Sequence, residues 1–544
     1  RMLSRKRWLP AVLLALFAGL VVVGCGGSDN GGGGGNASDN QVLKWGLGSE
    51  FQLDPGLATD TTSAKLVLNI FDPLVKLDDK LNAAPSMAES WDVNGAKVVY
   101  HLKSGSKWTD GTPVTAKDYE YSWKRALSPE LASDYAYQLF GIKGATEYNS
   151  CKSNCDALKD KVGVKATNDT TLEVTLTSPQ PWFVQQSAHS VFLPVPQKTV
   201  AKFGAKWTRP ENIVTNGPFK VEAAQPSASI TLVKDPDWRD ADSVKLERVE
   251  GKIIVDGTTA VQSFEAGEVD VLDEQLPPAE TPRLKDTPEY QLYPGLGTTY
   301  YGFNVKDNIK DVNQRRAMSL AVDRQSIIDN ITQANEKPAD AFTPVGMPGR
   351  DEIVTTPSPW TPAHGDLAKA KEYMAKAVNP KKNITIYSNE SPPNKEVAEA
   401  LQSMWKQIGI SSSIKILEWQ QFLEFLGPPP PKSVDIYRLG WVGDFVDDIN
   451  FLELWTCDSG NNNTGFCDKS YDANVAKAKN TPDNTARYKV YDQLEQKLTG
   501  QDGVLPIIPL WYITYPNLER ESVKDTFNIN LLDQVDLTKV EIKG

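Results

Sequence analysis

Tyr100–Leu127 reads YHLKSGSKWTDGTPVTAKDYEYSWKRAL and carries a strand, a turn and a helix start in one short segment. Lys97–Leu102 reads as a strand. An Asn94-Gly95 pair joins it to a strand at Trp91–Val93, the strongest short-range hairpin signal. Asp110-Gly111 forms a turn, and Pro113 follows it. Thr115 is the expected N-cap, because its side-chain oxygen can accept from a backbone N–H that the first helical turn leaves open. The helix it starts is Ala116–Leu127.

Working outward, strands and helices continue in both directions. Toward the N-terminus, Gln41–Leu47 reads as a strand, Ser63–Phe71 as a helix and Asp72–Leu81 as a strand with a turn. Toward the C-terminus, Leu158–Leu176 holds a strand pair, and Pro179–Pro196 is irregular. Thr215-Asn216-Gly217-Pro218 is a turn into strands Phe219–Ala223 and Ser229–Val233. Glu247–Ile254 is a strand, Asp256–Ala266 a helix, and Leu292–Lys306 a Tyr-rich strand. Asn313–Ile331 is expected as one helix. Helices Ala363–Val378 and Asn394–Ile408 alternate with strands Asn383–Tyr387 and Ser412–Leu417. The short helix Trp419–Leu426 is stopped by Pro428–Pro431. Val434–Leu439 is expected as a buried strand that delivers Gly440-Trp441 to a loop. Ala486–Lys497 is a helix and Pro506–Tyr515 an apolar strand. The alternation implies an α/β core, and 544 residues are too many for a single core, so two or three domains are expected.

The net charge is −12 with acids and bases interspersed, which argues against a nucleic-acid partner. Basic residues near the start precede the apolar run Trp8–Val23 and the sequence Val22-Val23-Gly24-Cys25. The run is short for a membrane span and suits a signal h-region. Small residues before Cys25 resemble a lipobox, in which the cysteine is acylated and becomes the new N-terminus; a membrane anchor is the alternative. The Gly/Ser/Asn/Asp stretch that follows would be a flexible tether reaching roughly 20 Å. Cys151, Cys155, Cys457 and Cys467 remain. An exported chain favours disulfides, and the local pairs Cys151–Cys155 and Cys457–Cys467 are the simplest connectivity. A zinc site is the alternative, but His101, His189 and His364 lie far off in sequence. No G-x-S-x-G elbow, P-loop or H-E-x-x-H is present, so no catalytic constellation or cofactor site is expected.

Tyr100–Leu127 resembles the signature of the peptide/nickel class of bacterial extracellular solute-binding proteins, family 5. Ala201–Lys220 (AKFGAKWTRPENIVTNGPFK) resembles its oligopeptide-binding branch more specifically, and QRRAMSLAVDRQSII from Gln314 also matches the family. The resemblance implies a two-lobed periplasmic-binding-protein fold, class II-like, with mixed sheets, flanking helices and a hinge. It divides the chain into a leader at 1–24, a tether at 25–40 and a first lobe of 41–85, 208–298 and 510–544. An extra domain at 86–207 and a second lobe at 299–509 complete it. It implies a non-enzymatic monomer, lipid-anchored outside the cell membrane, that hands oligopeptides to the permease and ATPases of an ABC importer. The other readings are a binder of a dipeptide, metal chelate or oligosaccharide, and a sensor of peptide signals.

Arg438–Trp455, RLGWVGDFVDDINFLELW, holds two tryptophans, two phenylalanines and four acids. Burying Asp444 in such company is costly unless a cation meets it. The resemblance supplies one. The family pattern Gly-Trp-x-x-Asp falls on Gly440, Trp441 and Asp444, and its acid binds a peptide α-ammonium. A helix cap or an internal ion pair is the alternative for Asp444. By the same resemblance Arg438 or Lys306 meets a peptide carboxylate, the rivals being a salt bridge and a solvated lysine. Tyr135 lies in the cleft or in the core, and Trp441 and Trp511 line side-chain pockets. Glu50, Phe51 and Gln52 offer backbone groups. The acids Asp447 and Asp448 lead to an expected preference for neutral or basic peptides.

Overall fold

Two long strands organise the architecture. Tyr290–Phe303 and Ile507–Glu519 pair antiparallel, with register shifts between Pro294 and Thr298 and between Thr299 and Tyr300. A computed structural model describes residues 41–543 apart from 79, 274, 275 and 278. The expected leader, the tether and Cys25 lie outside the described residues. Among the described residues no helix is long and apolar enough to cross a membrane.

On one side of the first register shift, Ile507–Glu519 also pairs with Val271–Asp273. The sheet continues from there through Val42–Leu47, Arg248–Ile253, Ser229–Lys234 and Phe219–Gln225. On the other side, Tyr290–Phe303 pairs with Ile436–Val442, which leads to Asn383–Asn389 and Ser411–Leu417. One mixed sheet therefore runs through two lobes, and two strands carry it across. Helices pack on it as α/β topology requires; Asn394–Lys406 buries Val397, Ala398, Leu401 and Trp405 on one face.

Residues 88–175 build a separate four-stranded antiparallel sheet, ordered Ala88–Asn94, Lys97–Leu102, Thr171–Thr175, Val164–Asn168. Helix Ala116–Ala126 covers it. Its start is fixed by reciprocal bonding: Asp118 accepts from the backbone N–H of Thr115, and Thr115 completes the capping box. Trp123 turns its ring edge-on to Tyr100, Phe183 and Phe192, and its Nε1–H donates to the Phe192 carbonyl at 2.7 Å. The opening stretch of sequence is thus the core of this sheet.

Three expectations need correction. Asn313–Ile331 is not one helix: it breaks after Val312–Leu320, restarts at Arg324–Ile327 and ends in a wider turn at Ile328–Thr332. Asp323 caps the restart by accepting from the Ser326 N–H. The break frees carbonyls for the buried Arg324 guanidinium, which donates to Ser319, Val322, Pro362 and Pro509. The strand expected at Val434–Leu439 runs from Ile436 to Val442, so Gly440 and Trp441 lie in the sheet rather than in a loop. A helix at Lys469–Lys479, capped by Asp468, was not foreseen. Of the cysteine alternatives, the structure has the two local disulfides Cys151–Cys155 and Cys457–Cys467.

Candidate functional site

Strand Ile436–Val442 sets the site. Its alternation leaves Arg438, Gly440 and Val442 partly exposed and buries Tyr437, Leu439 and Trp441. The open face borders a cavity of about 420 Å³, walled by residues of both lobes together with Asp134, Tyr135 and His189. The strand's close packing depends on Gly297, where a Cβ would lie 2.8 Å from the Trp441 carbonyl. Gly440 differs. A Cβ there would meet nothing closer than 3.5 Å, so its smallness serves the cavity rather than the fold.

Asp444 lies in the cavity wall and is 8 % exposed. Among the described residues no lysine or arginine pairs with it. Oδ1 accepts from Tyr135 Oη at 3.1 Å and lies 3.1 Å from His189 Nε2. Oδ2 accepts from Gln138 Nε2 at 2.6 Å and Asn450 Nδ2 at 2.9 Å. His189 Nδ1 accepts from the Val191 N–H, which leaves Nε2 to carry the ring proton and donate. Four donors surround this one carboxylate. Asn450 Oδ1 also accepts from the Trp441 indole and the Asp444 N–H, fixing both residues. Uncharged donors therefore hold the carboxylate in place, and its negative charge is left facing the cavity. Three of them, Tyr135, Gln138 and His189, sequence reasoning did not connect to Asp444; they lie more than 250 residues away, and Asn450 carried no signal of its own.

Arg438 also lines the cavity. Among the described residues no carboxylate pairs with it, and its buried Nε has no acceptor. Burial lowers its pKa, while the neighbouring Tyr301 and Tyr300 oppose the shift. A third charged group lies in the wall. Lys65 Nζ sits 2.6 Å from Asp273 and 2.7 Å from Asp533, all three buried. Burial pushes the Asp533 carboxyl up to about 6 despite Lys65.

Asp447 and Asp448 do not reach the cavity. Asp447 accepts from Tyr491 Oη at 2.7 Å and Arg487 Nη2 at 3.2 Å. Asp448 is fully buried, and neither carboxyl oxygen has a hydrogen-bond partner. Both are turned into the protein, which removes them as the basis for a ligand preference.

Of the residues expected at the site, the cavity brings together Asp444, Trp441, Gly440, Arg438 and Tyr135. The others stand outside its wall. Trp511 is 3 % exposed and packs into the core with Ile508 and Leu510, because its strand turns that face inward. Lys306 is exposed and rests beside Gly465 of the loop closed by Cys457–Cys467. Phe51 is a core residue. The Gln52 N–H is spent on Ser63 Oγ, and the neighbouring Gly48 and Ser49 take the place at the wall expected for Glu50, Phe51 and Gln52.

Comparison with known proteins agrees with this geometry. The family model described as bacterial extracellular solute-binding proteins, family 5 Middle, matches residues 82–463. The oligopeptide-binding protein OppA of Bacillus subtilis is 32 % identical, covering 96 % of each chain. The probable deoxycholate-binding periplasmic protein YgiS of Escherichia coli is 33 % identical, covering 85 % of each. The structure of the Escherichia coli murein tripeptide binding protein MppA superposes with a TM-score of 0.85 at 28 % identity, over 93 % of this chain and 99 % of that one. The unliganded open form of MppA gives only 0.63 over the same 93 % of this chain, so the lobes here depart from that open arrangement. Binding proteins, rather than enzymes, are what these likenesses share. The chain belongs to the bacterial extracellular solute-binding proteins, family 5.

Proposed function

We propose that this chain is an extracytoplasmic binding lipoprotein that captures short peptides for an ABC-type importer. One observation carries the reading: two opposite charges, Asp444 and Arg438, line the same cavity, and among the described residues neither pairs with a charged lysine, arginine or carboxylate. A group with both signs at its ends fits such a pair, and a free peptide is one. At about 3.3 Å per residue, the six steps from Arg438 to Asp444 span at most roughly 20 Å, the reach of a short extended peptide. The α-ammonium would join Asp444 and the α-carboxylate would meet Arg438, with closure of the lobes excluding water from both. The relatives named for oligopeptides support this, and the relative named for deoxycholate favours a second reading, a solute with one anionic end that uses Arg438 alone.

The proposed division of the chain takes 41–85, 208–298 and 510–544 as the first lobe, 86–207 as the extra domain and 299–509 as the second lobe; the register shifts at 294–300 fall beside its 298/299 boundary. The proposed anchor is a diacylated Cys25, which would hold a monomer at the outer face of the membrane beside its permease. Calorimetry on one tetrapeptide, free, N-acetylated and C-amidated, tests the ligand. N-acetylation should cost about 2–5 kcal/mol, since it leaves Asp444 without its ammonium, and C-amidation should weaken binding through Arg438. A ligand whose affinity ignores both blocks sinks the peptide reading; sensitivity to the C-terminal block alone favours the anionic solute.

A further inference from the structure

We infer that the cavity selects peptides carrying basic side chains, Lys or Arg, between their termini. This rests on the peptide reading above and asks what charge is left once the two termini are seated. Apart from Asp444, six acids line the cavity: Asp60, Asp134, Asp273, Asp533, Glu390 and Glu424. Apart from Arg438, the only lysine or arginine among its described lining residues is Lys65. Lys65 is shared by Asp273 and Asp533, so that cluster keeps one carboxylate in excess. Asp60 accepts from Ser63 and Gln420, both uncharged. Asp134, Glu390 and Glu424 are exposed and form no ion pair among the described residues.

The acids stand on both sides of the ligand path. Asp60, Asp273 and Asp533 belong to the helix start, the strand and the C-terminal segment of one lobe. Glu390 and Glu424 follow strand Asn383–Asn389 and sit in helix Trp419–Leu426 of the other. An extended peptide sends successive side chains to opposite faces, so either face meets a carboxylate. A second observation points the same way. Thr299 is 1 % exposed, lines the cavity, and its Oγ1 has no hydrogen-bond partner. Tyr515 Oη, also without a partner in the wall, lies in the field of Asp533 and Asp273. Unpartnered hydroxyl oxygens in the cavity wall can accept from an ammonium or guanidinium. An acidic side chain would bring like charge into the same space, and that repulsion supplies the discrimination.

The test is calorimetry with Ala-Ala-Ala-Ala, Ala-Ala-Lys-Ala and Ala-Ala-Glu-Ala at low ionic strength. The expected order is Lys, then Ala, then Glu, with a Lys-to-Glu ratio of about ten-fold or more that shrinks as salt is added. The triple variant Asp134→Asn, Glu390→Gln, Glu424→Gln alters exposed residues, so its fold should survive, and its Lys-to-Glu ratio should fall several-fold. Equal affinity for the three peptides, with the tetra-alanine still sensitive to N-acetylation, overturns the selectivity and leaves the peptide reading standing. Failure of all three to bind overturns both.

Discussion

Asp444 and Asp447 lie three residues apart, both buried, and the fold treats them oppositely. Asp444 is ringed by uncharged donors and faces the cavity. Asp447 is turned inward, where Arg487 and Tyr491 close around it. Burial raises the pKa of Asp447, while Tyr491 and Arg487 oppose the rise. Asp448, next to it, has its pKa pushed well up, first by burial and then by Asp447. Three acids in a row of five positions therefore present one charge to a ligand. An acid counted in a sequence becomes a binding charge only when the fold withholds its counter-ion.

The largest expected effect comes from opening the closed member of the pair. Asp447→Ala removes the hydrogen-bonded carboxylate from Arg487, a residue 3 % exposed, and leaves it the Thr481 and Pro482 carbonyls, the neighbouring aromatic rings and the field of Asp448. Removing one partner of a buried pair typically costs about 3–5 kcal/mol, to be read from urea denaturation without ligand. Peptide affinity of the folded fraction should change little. A small stability loss with a large affinity loss would show that Asp447, too, serves the ligand.

Next comes the open member. Asp444→Asn keeps the shape and removes the charge, at some cost in stability because one amide oxygen cannot serve four donors. Affinity for a free peptide should fall by about 2–5 kcal/mol, and blocking the peptide amine should then cost nothing further. An N-acetyl penalty that survives the substitution would assign the ammonium to another acid of the wall.

This contrast marks how far the sequence could be read. Local chemistry was legible. Thr115 caps its helix, Asn94-Gly95 turns its hairpin, and Trp419–Leu426 is a helix within the expected bounds. Each signal sits within a few residues of the structure it dictates. Asp444, Arg438 and Tyr135 were legible through a family pattern. The ring around Asp444 was not, because Gln138 lies between strands of the separate sheet and His189 beyond its last strand, and both meet Asp444 only after the fold is complete. The inward turn of Asp447 was hidden for the same reason, since Arg487 and Tyr491 belong to a helix forty residues on. The break in Asn313–Ile331 escaped because periodicity does not show that Arg324 needs the freed carbonyls.

Asp533 stands between the two cases, since one lysine serves both it and Asp273. Its folded pKa of about 6 lies above the unfolded value near 3.9, so the native state holds this proton more tightly. The stabilisation it gives is complete below about pH 4 and is lost as pH rises toward 6. Asp533→Asn should flatten that fall by up to about 1.4 kcal/mol per pH unit, measured by denaturation between pH 4 and 6. Glu519, raised to about 7 by burial, slopes the same way in both proteins, so only the difference between them counts. An unchanged slope would mean that Lys65 is spent on Asp533, and would leave Asp273 as the carboxylate of that cluster whose charge faces the cavity beside Asp444.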